Sequence, residues 1–322
     1  MQLSMVTDSL GHLPLEAALD VAVQAGLDAV EIATGNWSQA PHADLAALVS
    51  DAGARRRLVE AVTSRGLSLC ALNANGNQLH PVEGARQDQV VRDTITVAAA
   101  VGVPTVVLMS GLPAGAAGER TPNWVTTSWP PETQAVLAYQ WEQVALPYWE
   151  GLSAFAARRG VRLAVEMHGS QLVYNPVTLA RLRSAVDPAV VGANLDPSHL
   201  MWMGADVLDV VRELGQAVFH VHAKDVRVDV RNAGVNGRLD TLPPDRARER
   251  SWNFVTLGLG HEGGAGFWAQ LAYALRGVGY DGPLSIEHED VLLGSREGVL
   301  RSADLLRAVL PREAPDWRAA DV

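Results

Sequence analysis

Apolar runs of strand length recur along the chain, and most are announced by the same device, an amphipathic segment closed by glycine. AVQAG precedes LDAVEIAT, VTSRG precedes LSLCALN, AAAVG precedes VPTVVLMS, FAARRG precedes VRLAVEMH, and LRGVG precedes YDGPLSIEH. A glycine just past a helix lets the chain pass through positive φ before it turns into a strand, so each repeat reads as helix, stop, strand. Counting every apolar run gives eight strand segments: 2–7, 28–34, 67–73, 105–110, 162–168, 191–196, 219–225 and 283–289. Helical spacing fills the connections, as with Leu15, Leu19 and Ala22 in the first. Eight strands alternating with helices predict an α/β fold, a single (β/α)8 TIM barrel domain over 1–322 with 311–322 as a surface tail. A doubly wound open sheet is the competitor, and no GxGxxG follows the first strand to support its dinucleotide-binding form.

Two connections are longer than plain βα loops: SGLPAGAAGERTPNWVTTSWPPE after strand 4, and the stretch from Val226 to about Gly266 after strand 7. Both leave the C-terminal ends of strands, the face on which barrel active sites form, so they are expected to wall or cover a pocket. Composition narrows the partners. No apolar run nears the ~18 residues of a membrane span, and MQLSMVTDSLGH lacks a signal-peptide pattern, so a cytoplasmic protein is expected. A formal charge of -10, with Arg55–Arg57 as the densest basic run, disfavours nucleic acid. The single cysteine, Cys70, excludes an internal disulfide and reads as packed core in LSLCAL. Among 26 basic side chains only Lys224 is a lysine.

The polar residues gather at strand ends: Glu166 and His168 in LAVEMH, Asp196 in ANLDPSH, His222 and Lys224 in HVHAKD, Glu287 and Glu289 in LSIEHED. In a barrel these ends converge on one mouth. Several carboxylates buried together repel one another unless a counter-charge is present, and a divalent cation supplies one. Glu166, Asp196, His222 and Glu287 form an oxygen-rich donor set suited to Mn²⁺ in the first place, with Mg²⁺ or Co²⁺ as alternatives, and unlike a sulfur-rich zinc site. His220, deeper on the face that carries His222, is left outside the set as a core histidine.

On the motifs VEMH (165–168), LDPSH (195–199), HVHAKD (220–225) and SIEHED (285–290), the chain resembles the sugar phosphate isomerase/epimerase superfamily with the xylose isomerase-like barrel, over nearly its whole length. The resemblance implies that Glu166, Asp196, His222 and Glu287 bind one divalent metal, and that Glu166 and Glu287 also move protons. The implied activity is a sugar isomerase or epimerase, abstracting a proton α to a carbonyl through a metal-stabilised enediolate. The runner-up is a lyase that cleaves a 3-oxo-glycoside by β-elimination, and a third reading is a non-catalytic sugar-binding barrel. The more distantly related endonucleases need further metal ligands at other strand ends, where strand 4 offers only Met109 and Ser110. His168 is a candidate base, or a hydrogen bonder to the ligand Glu166. His199 is expected to meet substrate oxygens, and Lys224 to do so from the rim, with Asp225 beside it in a surface ion pair. Trp124, Trp129 and Trp252 are candidate stacking faces for a sugar or glycoside, and Arg227 or Arg120 a phosphate partner should the substrate carry one. A homo-oligomer is left open.

Overall fold

The protein is described here from a computed structural model covering residues 1–260 and 263–317. Eight parallel strands close into a barrel: β1 (Gln2–Val6), β2 (Ala29–Ala33), β3 (Ser68–Asn73), β4 (Thr105–Met109), β5 (Arg162–Glu166), β6 (Val191–Leu195), β7 (Val218–Ala223) and, after an antiparallel pair, β10 (Pro283–Ile286). Round the barrel the order is β1-β10-β7-β6-β5-β4-β3-β2, the expected (β/α)8 TIM barrel. The five punctuating glycines, 26, 66, 102, 160 and 279, all sit at φ between 64° and 86°, where any side chain would be strained. No helix among the described residues is long and apolar enough to cross a membrane.

Alternation along each strand sorts the core. Leu163 and Val165 of β5, and Val221 and Ala223 of β7, join the apolar layer between barrel and helices, with Leu19, Ile95, Trp149, Leu152, Trp268 and Leu271. Toward the barrel axis, small Ala71, Val107 and Ala164 form a separate apolar patch. Much of the rest of the axis is polar and hydrogen-bonded: Ser285 to Ser4 at 3.2 Å, Asn73 to Glu31 at 2.8 Å and Asn194 to Glu166 at 3.1 Å. Most barrels fill this space with branched aliphatics. Cys70 packs at its base, with Sγ donating to Val30 O at 3.2 Å, and desolvation pushes the thiol up to about 12.

The two long connections are ordered differently. The strand 4 connection carries one isolated bridge, Ala114 to Pro122, and the Gln140 amide, buried beneath it, donates to Pro113, Ala114 and Asn123 carbonyls. The strand 7 connection folds into an antiparallel ribbon, β8 (Asp225–Val228) against β9 (Trp252–Val255), with Val226 opposite Phe254. Asp225 anchors its root: Oδ2 accepts from Gly258 N at 2.9 Å and Trp268 Nε1 at 3.2 Å, fully buried. The expected surface ion pair with Lys224 is therefore corrected, because the Asp225 carboxylate turns to the ribbon's backbone and Lys224 finds other acids. Of the expected tail, 311–317 is described and held by Arg312, whose two nitrogens each lie 2.8 Å from Asp28; 318–322 fall outside the described residues.

Gly192 on β6 has no room for a side chain: a Cβ there would lie 2.6 Å from both Ala217 O and the Phe219 ring. Gly151, inside the helix Leu146–Ala157, would meet nothing within 4 Å. Gly192→Ala is expected to destabilise by about 1–3 kcal/mol in chemical denaturation, through overpacking. Gly151→Ala is expected to stabilise by up to about 1 kcal/mol, through helix propensity.

Candidate metal centre

Four neighbouring strands deliver the donors. Glu166 ends β5, Asp196 follows β6, His222 lies on β7 and Glu287 follows β10. Asp196 also caps the helix Pro197–Met203: its Oδ1 accepts from Ser198 N at 2.8 Å and Ser198 Oγ at 2.7 Å, which leaves Oδ2 for the centre. Asp196, His222 and Glu287 form one group of donor atoms within 4.8 Å of one another, and Glu166, Asp196 and His199 form an overlapping one. His222 Nδ1 lies 3.1 Å from Glu287 and 3.4 Å from Glu166. Yet Asp196 Oδ2, His199 Nε2 and His222 Nδ1, all buried, have no hydrogen-bond partner among the described residues. Two of these, Asp196 Oδ2 and His222 Nδ1, can offer a lone pair into the carboxylate cluster, which fits a divalent cation.

Proton placement separates the two histidines. His222 directs Nε2 to Glu31 Oε1 at 3.1 Å, so that nitrogen carries the proton and Nδ1 is the one free to ligate. His199 Nδ1 instead accepts from Trp202 Nε1 at 3.4 Å, which puts its proton on Nε2, facing the centre as a donor. His222 is thus built as a ligand, and His199 as a hydrogen-bond donor to an oxygen.

The electrostatics show what the site lacks. Burial, followed by the charges of Glu166 and Glu287, lifts Asp196 to about 7, with Lys224 opposing. Burial also pushes Glu287 up, but Lys224 and His222 outweigh it and hold the carboxyl at about 2. His222 is pulled down by burial and raised well above its ordinary value by Glu31 and Glu287. Burial, then the nearby His168, brings His199 down to about 3, so it is neutral at physiological pH. A carboxyl lifted by burial and by its acidic neighbours describes a cluster with too little positive charge, the condition a divalent ion relieves.

Above the donors opens a cavity of about 240 Å³. Its walls include His168, His199 and Lys224, as well as Asp8, Trp37 and Phe254, which sequence reasoning did not pick. Lys224 is buried, not at the rim: Nζ lies 3.1 Å from Glu287, 3.3 Å from Glu289 and 3.6 Å from Asp196, and 4.4 Å from the centre of the Phe254 ring. The His168 ring lies 3.9 Å from that of His199, tilted by 51°; His168 bonds the Gly169 carbonyl through Nδ1, and its pKa is lowered by burial. The three tryptophans and Arg227 are not brought here. Trp252 stacks on Trp202 at 4.8 Å, Trp124 packs edge-on against Tyr174 at 5.8 Å, Trp129 is 75% exposed, and Arg227 points to solvent from β8. The aromatic walls are Trp37 and Phe254 instead. A larger cavity, about 510 Å³, opens at the opposite end of the barrel beside Cys70 and Tyr280, away from these donors.

Glu31, on β2, is the main residue that sequence reasoning missed. It is fully buried, holds His220 Nε2 at 2.7 Å as well as His222, and the two imidazoles keep its carboxyl well below the usual range although burial pushes it up. Asn75, also missed, donates to Glu166 at 2.7 Å. A lone acid in the apolar run AVEIA was the only signal for Glu31.

Comparison with known proteins agrees with this architecture. The chain is 45% identical over 314 residues to the uncharacterized protein YfiH of Bacillus subtilis (strain 168), covering 96% of this chain and 99% of that one. Among solved structures, the IOLI protein with a bound zinc atom superposes with a TM-score of 0.66 at 18% identity, over 96% of this chain and 98% of that one. The 3-keto-D-glucoside 4-epimerase YcjR of E. coli gives 0.65 at 14% identity, over 96% and 99%. Residues 19–309, from the first barrel helix to the end of the last, match the model of the xylose isomerase-like TIM barrel, and the chain belongs to that family.

Proposed function

We propose that this protein is a divalent-metal-dependent isomerase or epimerase of an uncharged keto or aldo sugar, acting by removal of a proton α to a carbonyl. The observation that carries the reading is the convergence of Glu166, Asp196, His222 and Glu287, with orphaned donor atoms, beneath a cavity that also holds acid–base groups. A divalent cation in that set supplies the positive charge that offsets the carboxylates and favours negative charge developing on a nearby carbonyl oxygen. The likeness to a 3-keto-D-glucoside 4-epimerase supports a ketone beside the carbon whose configuration changes.

The chain's own groups then have separable tasks. Glu166 and Glu287 stand at strands separated by β6 and β7, so they reach a sugar from different sides, one to take the α proton and the other to return it. His168 carries its proton on Nδ1, toward Gly169 O, and presents the Nε2 lone pair as a further base. His199 offers Nε2–H to a substrate oxygen. Asp8, whose Oδ1 is buried without a partner among the described residues, accepts from a sugar hydroxyl, and Trp37 and Phe254 supply the apolar faces. No arginine lines the cavity among the described residues, and its one lysine is already held by three acids. A phosphate there would lack a free cation, which favours a neutral substrate.

With a neutral keto sugar, MnCl₂ and D₂O, deuterium is expected at the α carbon, lost on dialysis against EDTA and restored by Mn²⁺. Full exchange after chelation would contradict the metal's role. Expulsion of a leaving group would assign the elimination chemistry, and saturable binding without exchange or turnover would leave a sugar-binding barrel. Glu166→Gln and Glu287→Gln are each expected to lower kcat by about 100- to 10,000-fold in the same assay. The phosphate ester of an accepted sugar is expected to show at least about tenfold lower kcat/KM, the cost of one unpaired charged contact; a preferred ester would contradict the neutral reading.

A further inference from the structure

Glu31 lies outside the four-residue donor set and below the cavity, yet it touches one of those donors. It sits on β2, three strands from β7 round the barrel, and reaches across the axis. Its Oε1 receives Asn73 Nδ2 at 2.8 Å and His222 Nε2 at 3.1 Å, and its Oε2 meets His220 Nε2 at 2.7 Å. All four side chains are buried, none more than 5% exposed.

We propose that Glu31 is a positioning residue for metal binding: it holds the His222 ring by Nε2–H, so that Nδ1 faces the ion with its lone pair. The inference rests on the reading of His222 as a ligand. An imidazole can ligate through either nitrogen, and which one is free depends on the hydrogen bond made by the other; a carboxylate partner also makes the ligand more basic. Glu31 is the group that makes this choice here. His220 and Asn73 in turn keep the carboxylate from rotating, one on each oxygen. That gives His220 a task in the pair HVH although it binds nothing in the cavity.

The same atoms admit a rival, a second ion shared by Glu31, His220 and His222, whose donor atoms also lie within 4.8 Å of one another. The hydrogen-bond pattern speaks against it. Asn73 turns its amide protons toward the cluster and spends Oδ1 on Asn75 N at 2.8 Å, so it brings a donor where an ion would need a lone pair. His222 Nε2 is also needed by Glu31, while its Nδ1 is the unpartnered atom.

The test is calorimetric titration of metal-free protein with MnCl₂, in the wild type and in Glu31→Gln, with the thermal midpoint of each metal-free protein as the control for folding. One ion per chain is expected in both, bound about 10- to 100-fold more weakly by the variant. Nitrogen-15 NMR of the Zn²⁺-loaded wild type is expected to show His222 protonated at Nε2 and ligated at Nδ1, a signature that a merely structural role would not require. Should Glu31→Gln not fold, Glu31→Asp, which keeps the charge and withdraws it by one methylene, is expected to weaken Mn²⁺ binding in the same direction. Unchanged Mn²⁺ affinity in a folded variant, Nε2 ligation, or two ions in the wild type with one lost in the variant would overturn the proposal alone. No Mn²⁺ binding by the wild type would overturn both it and the function on which it rests.

Discussion

The rest of the structure depends on how negative charge is held inside a protein. Glu31, Glu166 and Asp196 are almost completely withdrawn from water, with Glu287 beside them at 17% exposure, and such groups are costly to bury unless paired. The barrel answers with imidazole hydrogen bonds from His220 and His222 to Glu31 low on the axis, and with the Lys224 ammonium above. That positive charge is not enough, as the lifted Asp196 carboxyl shows. The shortfall sits at the C-terminal mouth, where an ion can enter from the cavity, and not in the closed interior. Function in this reading is the chemistry made available by completing that balance.

The scaffold contributes by being small where it matters. Ala71, Val107 and Ala164 occupy axis positions that larger aliphatics would fill, and the space goes to imidazole, amide and carboxylate side chains. Around the mouth, the ribbon β8–β9 is as consequential as the barrel. Its root is tied down by Asp225, its second strand carries Phe254 over Lys224 at 4.4 Å, and its Trp252 stacks on Trp202, next to the helix turn that positions His199. A desolvated ammonium against an aromatic face contributes on the order of 2 kcal/mol, which helps Lys224 remain charged in a nearly closed site.

The barrel and the acids and imidazoles that end its strands were legible because they follow rules of period. Apolar alternation and glycine stops mark the strands, and an acid or imidazole at a strand's end is visible without any knowledge of loops. Residues governed by long-range register were hidden. Glu31 in AVEIA looks like an isolated acid until β2 is known to face β7 across the axis. Asn73 and Asn75 look like strand-end polar residues until they are seen to serve Glu31 and Glu166. Loop residues were read less well, because composition says which loops are long but not where they turn. Trp124, Trp129 and Trp252 were expected at the cavity, whereas Trp37 and Phe254 stand there. Lys224 reads as a rim residue because it lies two positions beyond His222 on the same strand face; in the structure the chain enters the ribbon at Asp225 and covers the ammonium.

The central claim is that one divalent ion completes the charge of this mouth. Anomalous diffraction from a crystal loaded with Mn²⁺ tests it most directly. The account predicts a single strong peak bounded by Glu166, Asp196, Glu287 and His222, with the imidazole turned so that Nδ1 meets the ion and Nε2 stays on Glu31. A map without a peak at the mouth, or with the peak between Glu31 and His220, would contradict it.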